Sequence, residues 1–132
     1  MMRKLLFVTC VAALSLNVPS YAHHSDVAYE NTSIEIKDVT FVKTAWVNPH
    51  SIVTFDVKDA SGKVTQWIVE MGSPSAMSAV GWNRNSLTPG AVATVVVFPA
   101  RNGTAHGRLA RVMFPDGKTL NYREPRPAGG AQ

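Results

Sequence analysis

Apolar and polar residues alternate along most of the chain from residue 33 onward, which is the pattern of β-strands that bury one face. In the first such segment, Ile34 and Ile36 share one face and Asp38 interrupts the alternation. Val39 and Phe41 then resume it on a shifted phase. Because a bulge both bends a strand and shifts its phase, this slip predicts one long, bent strand. The residues predicted on its opposite face are Val42, Thr44 and Trp46.

Turn residues separate the remaining segments. Asn48-Pro49-His50 ends the first strand, because proline cannot donate to a strand ladder and asparagine favours turns. Further strands are predicted over residues 52–58, 64–70, 92–98, 109–114 and 118–122. After the third strand, Ser73 is a suitable N-cap, Pro74 suits the first helical position and Gly81 suits a stop. We therefore predict a short helix over residues 74–80.

The order of these elements indicates the fold class. Three strands, a short helix and then two further strands with a hairpin extension are the order of the OB barrel. We predict an all-β fold with one short helix, a small OB-like barrel of five to six strands. A β-sandwich is the alternative, although this strand count is low for one.

The first 22 residues have the parts of a secretory signal peptide. Arg3 and Lys4 give a positive start, residues 5–18 are largely apolar, and Ser20 and Ala22 are small residues where a signal peptidase reads them. The apolar stretch is too short for a membrane span. We predict export to the periplasm with no transmembrane span after cleavage. The predicted division is a signal peptide 1–22, an extended arm 23–32, a barrel domain 33–122 and a disordered tail 123–132.

Charge and cysteine content narrow the function classes. The net charge of +4 falls to +2 when Arg3 and Lys4 leave with the signal peptide. No cluster of lysine and arginine is present in the mature chain, which argues against nucleic-acid binding. The single cysteine, Cys10, also lies in the signal peptide, so the mature chain has no disulfide and no thiolate ligand.

An ordered set of short motifs runs from about residue 23 to residue 120. The motifs are His23-His24-Ser25, Asn48-Pro49-His50, Glu70 with Gly72-Ser73-Pro74, Gly81-Trp82, Leu87 with Pro89-Gly90, and Pro115-Asp116-Gly117. Together they resemble a bacterial family of short exported proteins that carries only a domain-of-unknown-function label. The resemblance implies a periplasmic, single-domain β-barrel and supplies no catalytic residue. Asp38 departs from it where the family usually has glycine, and His106 lies in a loop that varies in the family, which weakens a role for His106.

The histidines suggest metal binding. Cleavage after residue 22 places a free amine on His23, and an amine beside imidazole suits copper or nickel, of which we favour Cu²⁺. OB barrels use two loops as one binding rim, and His50 is predicted in the first loop and His106 at the end of the second. Since the third strand runs antiparallel to the second, Glu70 is predicted near His50. Zinc is less well matched without cysteine, although three imidazoles can hold it. The candidate metal ligands are His23, His24, His50 and His106.

Other interpretations of the same residues remain open. The rim formed by Trp46, Asn48, His50 and Glu70 is also suited to a protein or a small ligand without metal. Alternatively, His23 and His24 are a solvated arm and His50 caps a turn by donating to Glu70 or to a carbonyl. The three tryptophans could form an aromatic platform for a ligand, but we favour their interpretation as core residues. A hydrolase using Ser51 with His50 and Glu70 is the weakest hypothesis, because no strained nucleophile turn or oxyanion motif is present. We therefore expect a binding protein rather than an enzyme.

Overall fold

The computed structural model of the protein describes residues 28–123. Its elements, in chain order, are β1 (Ile34–Ala45), β2 (Ile52–Lys58), β3 (Val64–Glu70), α1 (Pro74–Ala79), β4 (Val92–Pro99), β5 (His106–Met113) and β6 (Thr119–Asn121). This order confirms the predicted all-β fold with one short helix. The predicted signal peptide, His23, His24 and the predicted tail from residue 124 onward lie outside the described residues.

The strands close into a small barrel. Antiparallel pairing joins β1 to β2, β2 to β3, β1 to β4 and β4 to β5. The barrel closes where the end of β3 pairs in parallel with the start of β5, and β6 adds an extra strand beside the end of β5. With α1 between β3 and β4, this is the predicted OB-like barrel rather than a sandwich.

The long first strand has two irregularities instead of the single slip that the pattern predicts. The first lies between Ile36 and Val39 in the pairing with β4, where Asp38 has a φ of 54°. The second lies between Phe41 and Lys43 in the pairing with β2. Each extra residue bends the strand, which lets β1 pair with β4 along its first half and with β2 along its second half.

The second irregularity corrects the predicted faces of β1. Val42 is the extra residue there, and it reverses the phase of everything after it. Thr44 therefore pairs with the buried Val53, and Trp46 packs against the core. The prediction that Thr44 and Trp46 lie opposite the core-facing residues is wrong for this reason.

Aromatic side chains fill much of the barrel interior. The Phe55 ring meets that of Phe41 edge-on at a centroid distance of 6.4 Å and stacks on Trp67 at 6.3 Å. Trp82 is buried, and its indole N–H donates to the carbonyl oxygen of Asn121 over 2.9 Å. Trp82 is part of the core, and Trp46 and Trp67 are partly buried side chains that pack against it, which confirms the interpretation of the tryptophans as packing residues.

Helix α1 begins at Pro74, as the sequence predicts, and ends at Ala79, one residue earlier than predicted. The Ser73 hydroxyl accepts from the Ala76 N–H over 3.2 Å, and Gly81 follows the helix with a φ of 91°. The helix buries the side chain of Met77 in the core. Within residues 28–123, no helix has the length and apolarity that crossing a membrane requires.

Strand β5 begins three residues earlier than predicted. Gly107 and Arg108 pair with β4 on one side and with β3 on the other, so this segment is held in strand geometry by both neighbours. Tertiary pairing of this kind is invisible in the local pattern. His106 is consequently the first residue of β5, not the end of the preceding loop.

Candidate functional site

Three strands place side chains next to one another on the outer face of the barrel wall. The register pairs Ile52 of β2 with Glu70 of β3, and it pairs Glu70 with Arg108 of β5. Paired residues share a face, and their chain neighbours Val53 and Val69 are fully buried on the inner face. Glu70 and Arg108 thus occupy outer positions of strands whose inner positions form the core.

His50 reaches Glu70 from the loop that joins β1 to β2. The next residue ties this loop to the end of β3: the Ser51 N–H donates to the Gly72 carbonyl over 2.9 Å, and its carbonyl accepts from the Met71 N–H over 2.8 Å. With the loop held in this way, His50 Nδ1 contacts Glu70 Oε1. The predicted proximity of these two side chains is confirmed.

Tyr29 reaches the same carboxylate from the segment before β1. Its hydroxyl donates to Glu70 Oε2 over 2.9 Å, and the Arg108 guanidinium lies 4.7 Å from the centre of its ring. The Tyr29 backbone forms an isolated antiparallel bridge with Ala100. Burial raises the pKa of Tyr29 above its ordinary value of 10.0, and the charge of Arg108 offsets part of that rise. Glu70 is therefore the point at which the arm, the loop and two strands meet.

The contacts of Glu70 determine the proton arrangement of His50. One carboxylate oxygen accepts from the Tyr29 hydroxyl, and the other contacts Nδ1 of the His50 ring. An ionised carboxylate can only accept, so with Glu70 ionised the contact requires the proton on His50 Nδ1. In the neutral ring, Nε2 then carries the lone pair. The His50 side chain is 55% exposed whereas that of Glu70 is 26% exposed, so the ring is presented to solvent on a more buried support.

This arrangement has two chemical interpretations. In metal sites, a ligating histidine usually donates its other ring N–H to a carboxylate, which fixes the tautomer and the ring orientation. The same contact also occurs where a histidine simply secures a turn. The geometry of His50 and Glu70 is compatible with both.

His106 lies on the same outer face but further along the wall. It pairs with Ile68, two positions before Glu70 on β3, and its Nδ1 lies 3.1 Å from the Thr104 hydroxyl. Across residues 28–123, no group of three or more His, Cys, Asp or Glu side chains is arranged to hold a metal ion.

The other predicted rim residues are arranged differently. Trp46 is half-buried and packs against the core, whereas Asn48 is exposed and precedes a cis peptide bond to Pro49. Of the four predicted rim residues, His50 and Glu70 are the two that the structure brings into contact.

Sequence reasoning missed Tyr29 and Arg108. Tyr29 is the single aromatic residue of the polar stretch 23–32, and that isolation was the available signal. For Arg108, the sequence predicts only a solvated position next to a strand that begins at residue 109. Its pairing with Glu70 depends on barrel closure, for which the sequence offers no local signal.

Ser51, the nucleophile of the hydrolase hypothesis, faces inward. Its side chain is fully buried, and its hydroxyl donates to the Val47 carbonyl oxygen over 3.5 Å. A hydroxyl in this position is not presented to a substrate at the outer face where His50 and Glu70 lie.

Apolar side chains flank the polar cluster. Ile52 is 36% exposed and Ile68 is 40% exposed, and both share the outer face with Glu70. Val47, in the loop that carries His50, is 48% exposed. Exposed apolar residues next to a polar cluster are one feature of binding surfaces.

Comparison with known proteins gives a family and nothing finer. The model of a family described as "Family of unknown function (DUF6152)" matches residues 11–110, about three quarters of the chain. The match confirms the resemblance to a family with a domain-of-unknown-function label. No curated protein and no solved structure matches the chain.

Proposed function

Because the chain belongs to this family of unknown function, we propose its function from the site itself. The protein is exported to the periplasm, and residues 1–22 are removed as a signal peptide. It then binds Cu²⁺ through the new amino terminus at His23 together with His50. The observation that carries the proposal is the contact between His50 Nδ1 and Glu70, because it leaves Nε2 of a solvent-exposed ring with its lone pair.

The donor set fits copper better than other metals. A terminal amine and the imidazoles of His23 and His50 are nitrogen ligands, with His24 as a further candidate, and Cu²⁺ favours nitrogen in tetragonal geometry. Calcium and magnesium prefer oxygen ligands, and the mature chain has no cysteine to favour zinc.

The proposal requires that His23 can reach His50, and the length of the chain between His23 and Tyr29 permits it. Tyr29 is fixed on Glu70, which also contacts His50, so the arm is anchored beside the ring. His23 precedes Tyr29 by six residues. Six residues span at most about 20 Å, which is enough to return to a site next to the anchor.

The decisive test is a Cu²⁺ titration of two proteins that differ by one residue. One begins at His23, as verified by mass spectrometry, and the other carries one additional alanine before His23; neither has a histidine tag. We expect the first to bind one equivalent of Cu²⁺ and the second to bind at least about 10-fold more weakly, because the amine is no longer on the histidine. Equal binding by both proteins would reject the terminal-amine site.

A pair of histidine variants then tests the partner ligand. His50→Ala should weaken Cu²⁺ binding about 10-fold or more, whereas His106→Ala is the matched control on the same outer face and should have a smaller effect. If the two substitutions weaken binding equally, His50 has no special place in the site.

A second candidate function is the capture of a protein or small ligand at the same face without metal. The exposed Ile52 and Ile68 beside Glu70 favour it, because apolar side chains contribute nothing to a copper site. In this case chelators leave function intact, while His50→Ala or Trp46→Ala weakens capture. Pull-downs that are insensitive to both substitutions would count against this candidate.

A further inference from the structure

The first half of β3 has a neighbouring strand on one side only. β3 pairs with β2 from Val64 to Glu70, whereas its parallel pairing with β5 begins at Ile68. The edge of β3 at residues 64–66 (the open edge) therefore faces no further strand within residues 28–123. We infer that the open edge pairs with the open edge of a second copy of the chain. This inference is independent of the proposed copper site.

The backbone groups of Val64 and Gln66 point away from β2, toward the open edge. Successive residues of a strand direct their N–H and C=O groups to opposite sides. The Ile68 N–H donates to the Ala105 carbonyl over 3.0 Å, on the side away from β2. By this alternation, Gln66 and Val64 face the same side as Ile68. Within residues 28–123, neither of them has a backbone partner there, so the open edge presents unpaired donors and acceptors in strand geometry.

The sequence of the open edge lacks the usual protection against the addition of a strand. Edge strands in natural proteins are blocked by charged residues, prolines or bulges. Residues 64–69 contain no charged residue, proline or glycine, and their pairing with β2 runs without a bulge. Valine, threonine, tryptophan and isoleucine, which make up most of this segment, also have high strand propensity. The open edge is therefore suited to receive another strand.

A second copy in antiparallel orientation satisfies the backbone groups of the open edge. With a twofold axis at Thr65, Val64 of each copy lies opposite Gln66 of the other, and each such pair exchanges N–H to carbonyl hydrogen bonds. The paired segment ends before Ile68, whose N–H is already bonded to Ala105. Because each copy then has its open edge covered, the assembly closes at two copies.

The side chains beside this axis favour a second copy over an unrelated peptide. In the same register, Lys63 of each copy lies opposite Trp67 of the other, and residues that lie opposite share a face. The exposed Lys63 ammonium has no ion pair or ring contact among residues 28–123. The half-buried Trp67 ring stacks through one face on Phe55 at 6.3 Å, and a lysine from the other copy suits its second face. The chain thus supplies both the cation and the ring of this contact.

We expect the dimer to be weak. A short segment of each strand takes part, so the interface is small, and small interfaces are typical of transient association. Sedimentation analysis of the purified protein from about 10 µM to about 1 mM should therefore show a concentration-dependent equilibrium between monomer and dimer. A chelator is present throughout, so the result does not depend on the proposed copper site.

Opposite charges at the axis test which edge pairs. Because Thr65 of one copy lies opposite Thr65 of the other, Thr65→Lys and Thr65→Asp each place like charges together and should weaken self-association at least about fivefold. An equimolar mixture of the two variants should form a dimer at least as tight as that of the wild type. Thr40→Lys and Thr40→Asp are the matched controls, because Thr40 is exposed on a strand that pairs on both sides, and both should self-associate like the wild type.

Amide hydrogen exchange shows which backbone groups the dimer uses. As the protein concentration rises, exchange of the Val64 and Gln66 N–H groups should slow, because these groups become bonded in the dimer. The Thr65 and Trp67 N–H groups already face β2 and should change less.

The combined outcomes decide the inference. Restored association in the mixture of the Thr65 variants, together with protection of the Val64 and Gln66 amides, supports it. A wild type that stays monomeric at about 1 mM overturns it. A dimer that the Thr65 variants leave unchanged, or a mixture that does not regain affinity, also overturns it. So does a dimer without protection of the two amides, because that dimer uses another surface.

Discussion

Val69 and Glu70 are consecutive residues of β3, yet they lie on opposite faces of the barrel wall and are held by different kinds of contact. Val69 is completely buried among apolar side chains of the neighbouring strands. Glu70 is held by a tyrosine 41 positions away and a histidine 20 positions away, both outside the strands. The inner face therefore supplies stability by non-directional burial, whereas the outer face gathers directional contacts from separate segments.

The largest effect should come from the inner face. Phe55→Ala removes a fully buried ring that packs against Phe41 and Trp67, so we expect the free energy of unfolding to fall by about 3–5 kcal/mol. Denaturant unfolding measures this loss. Val64→Ala, at an exposed end of β3, is the control and should change stability by less than about 0.5 kcal/mol. Equal losses in the two variants would mean that the interior is not the source of stability.

A substitution on the outer face should change stability little and binding more. Glu70→Gln keeps the shape of the side chain but removes its charge, and we expect stability to fall by no more than about 1 kcal/mol, because the contact with His50 is screened by solvent. At the proposed copper site, its effect on Cu²⁺ affinity should be larger, about 10-fold, since the amide fixes the His50 tautomer less firmly. A stability loss as large as that of Phe55→Ala would erase the distinction between the two faces.

A smaller effect on the free energy of unfolding is expected from substitutions at Asp38 of β1, the strand that pairs with both β2 and β4. Asp38 has a φ of 54°, a left-handed conformation that glycine adopts without strain. Asp38→Gly should therefore raise the free energy of unfolding by about 0.5–1 kcal/mol, whereas Asp38→Ala should not raise it. Thermal unfolding of the two variants checks the sign. If alanine stabilises as much as glycine, the backbone conformation at this position is not the cause.

The two faces also differ in how far the sequence predicts them. Alternation identifies most inner residues of β2 and β3, because apolar side chains recur at every second position from Val53 to Val57 and at Trp67 and Val69. The caps of α1 identify the helix. The alternation in β1 fails at Val42, where a second extra residue reverses the phase and turns Thr44 inward. No polar residue or glycine marks that position, so local chemistry carries no signal of it.

The outer cluster could be predicted only in part. The antiparallel register of β2 and β3 was enough to place Glu70 near His50. Arg108 and Tyr29 depend on the parallel closure of β3 on β5 and on the docking of the arm at Ala100, both of which join segments far apart in the chain. Periodicity describes one strand at a time and cannot predict such contacts.

The smallest expected effect concerns alkaline pH and the arm. Because burial raises the pKa of Tyr29, the folded protein keeps the phenol proton at a pH where the unfolded chain loses it. The unfolded chain thus binds fewer protons between the two pKa values, and stability falls as the pH rises above about 10 through this window. The change should stay below about 1 kcal/mol, since the half-buried phenol is still screened by water. Tyr29→Phe should remove this loss and Tyr122→Phe should keep it, as measured by unfolding at about pH 9 and about pH 11. If both variants lose as much stability as the wild type between these two pH values, ionisation of the Tyr29 phenol is not the cause of the loss.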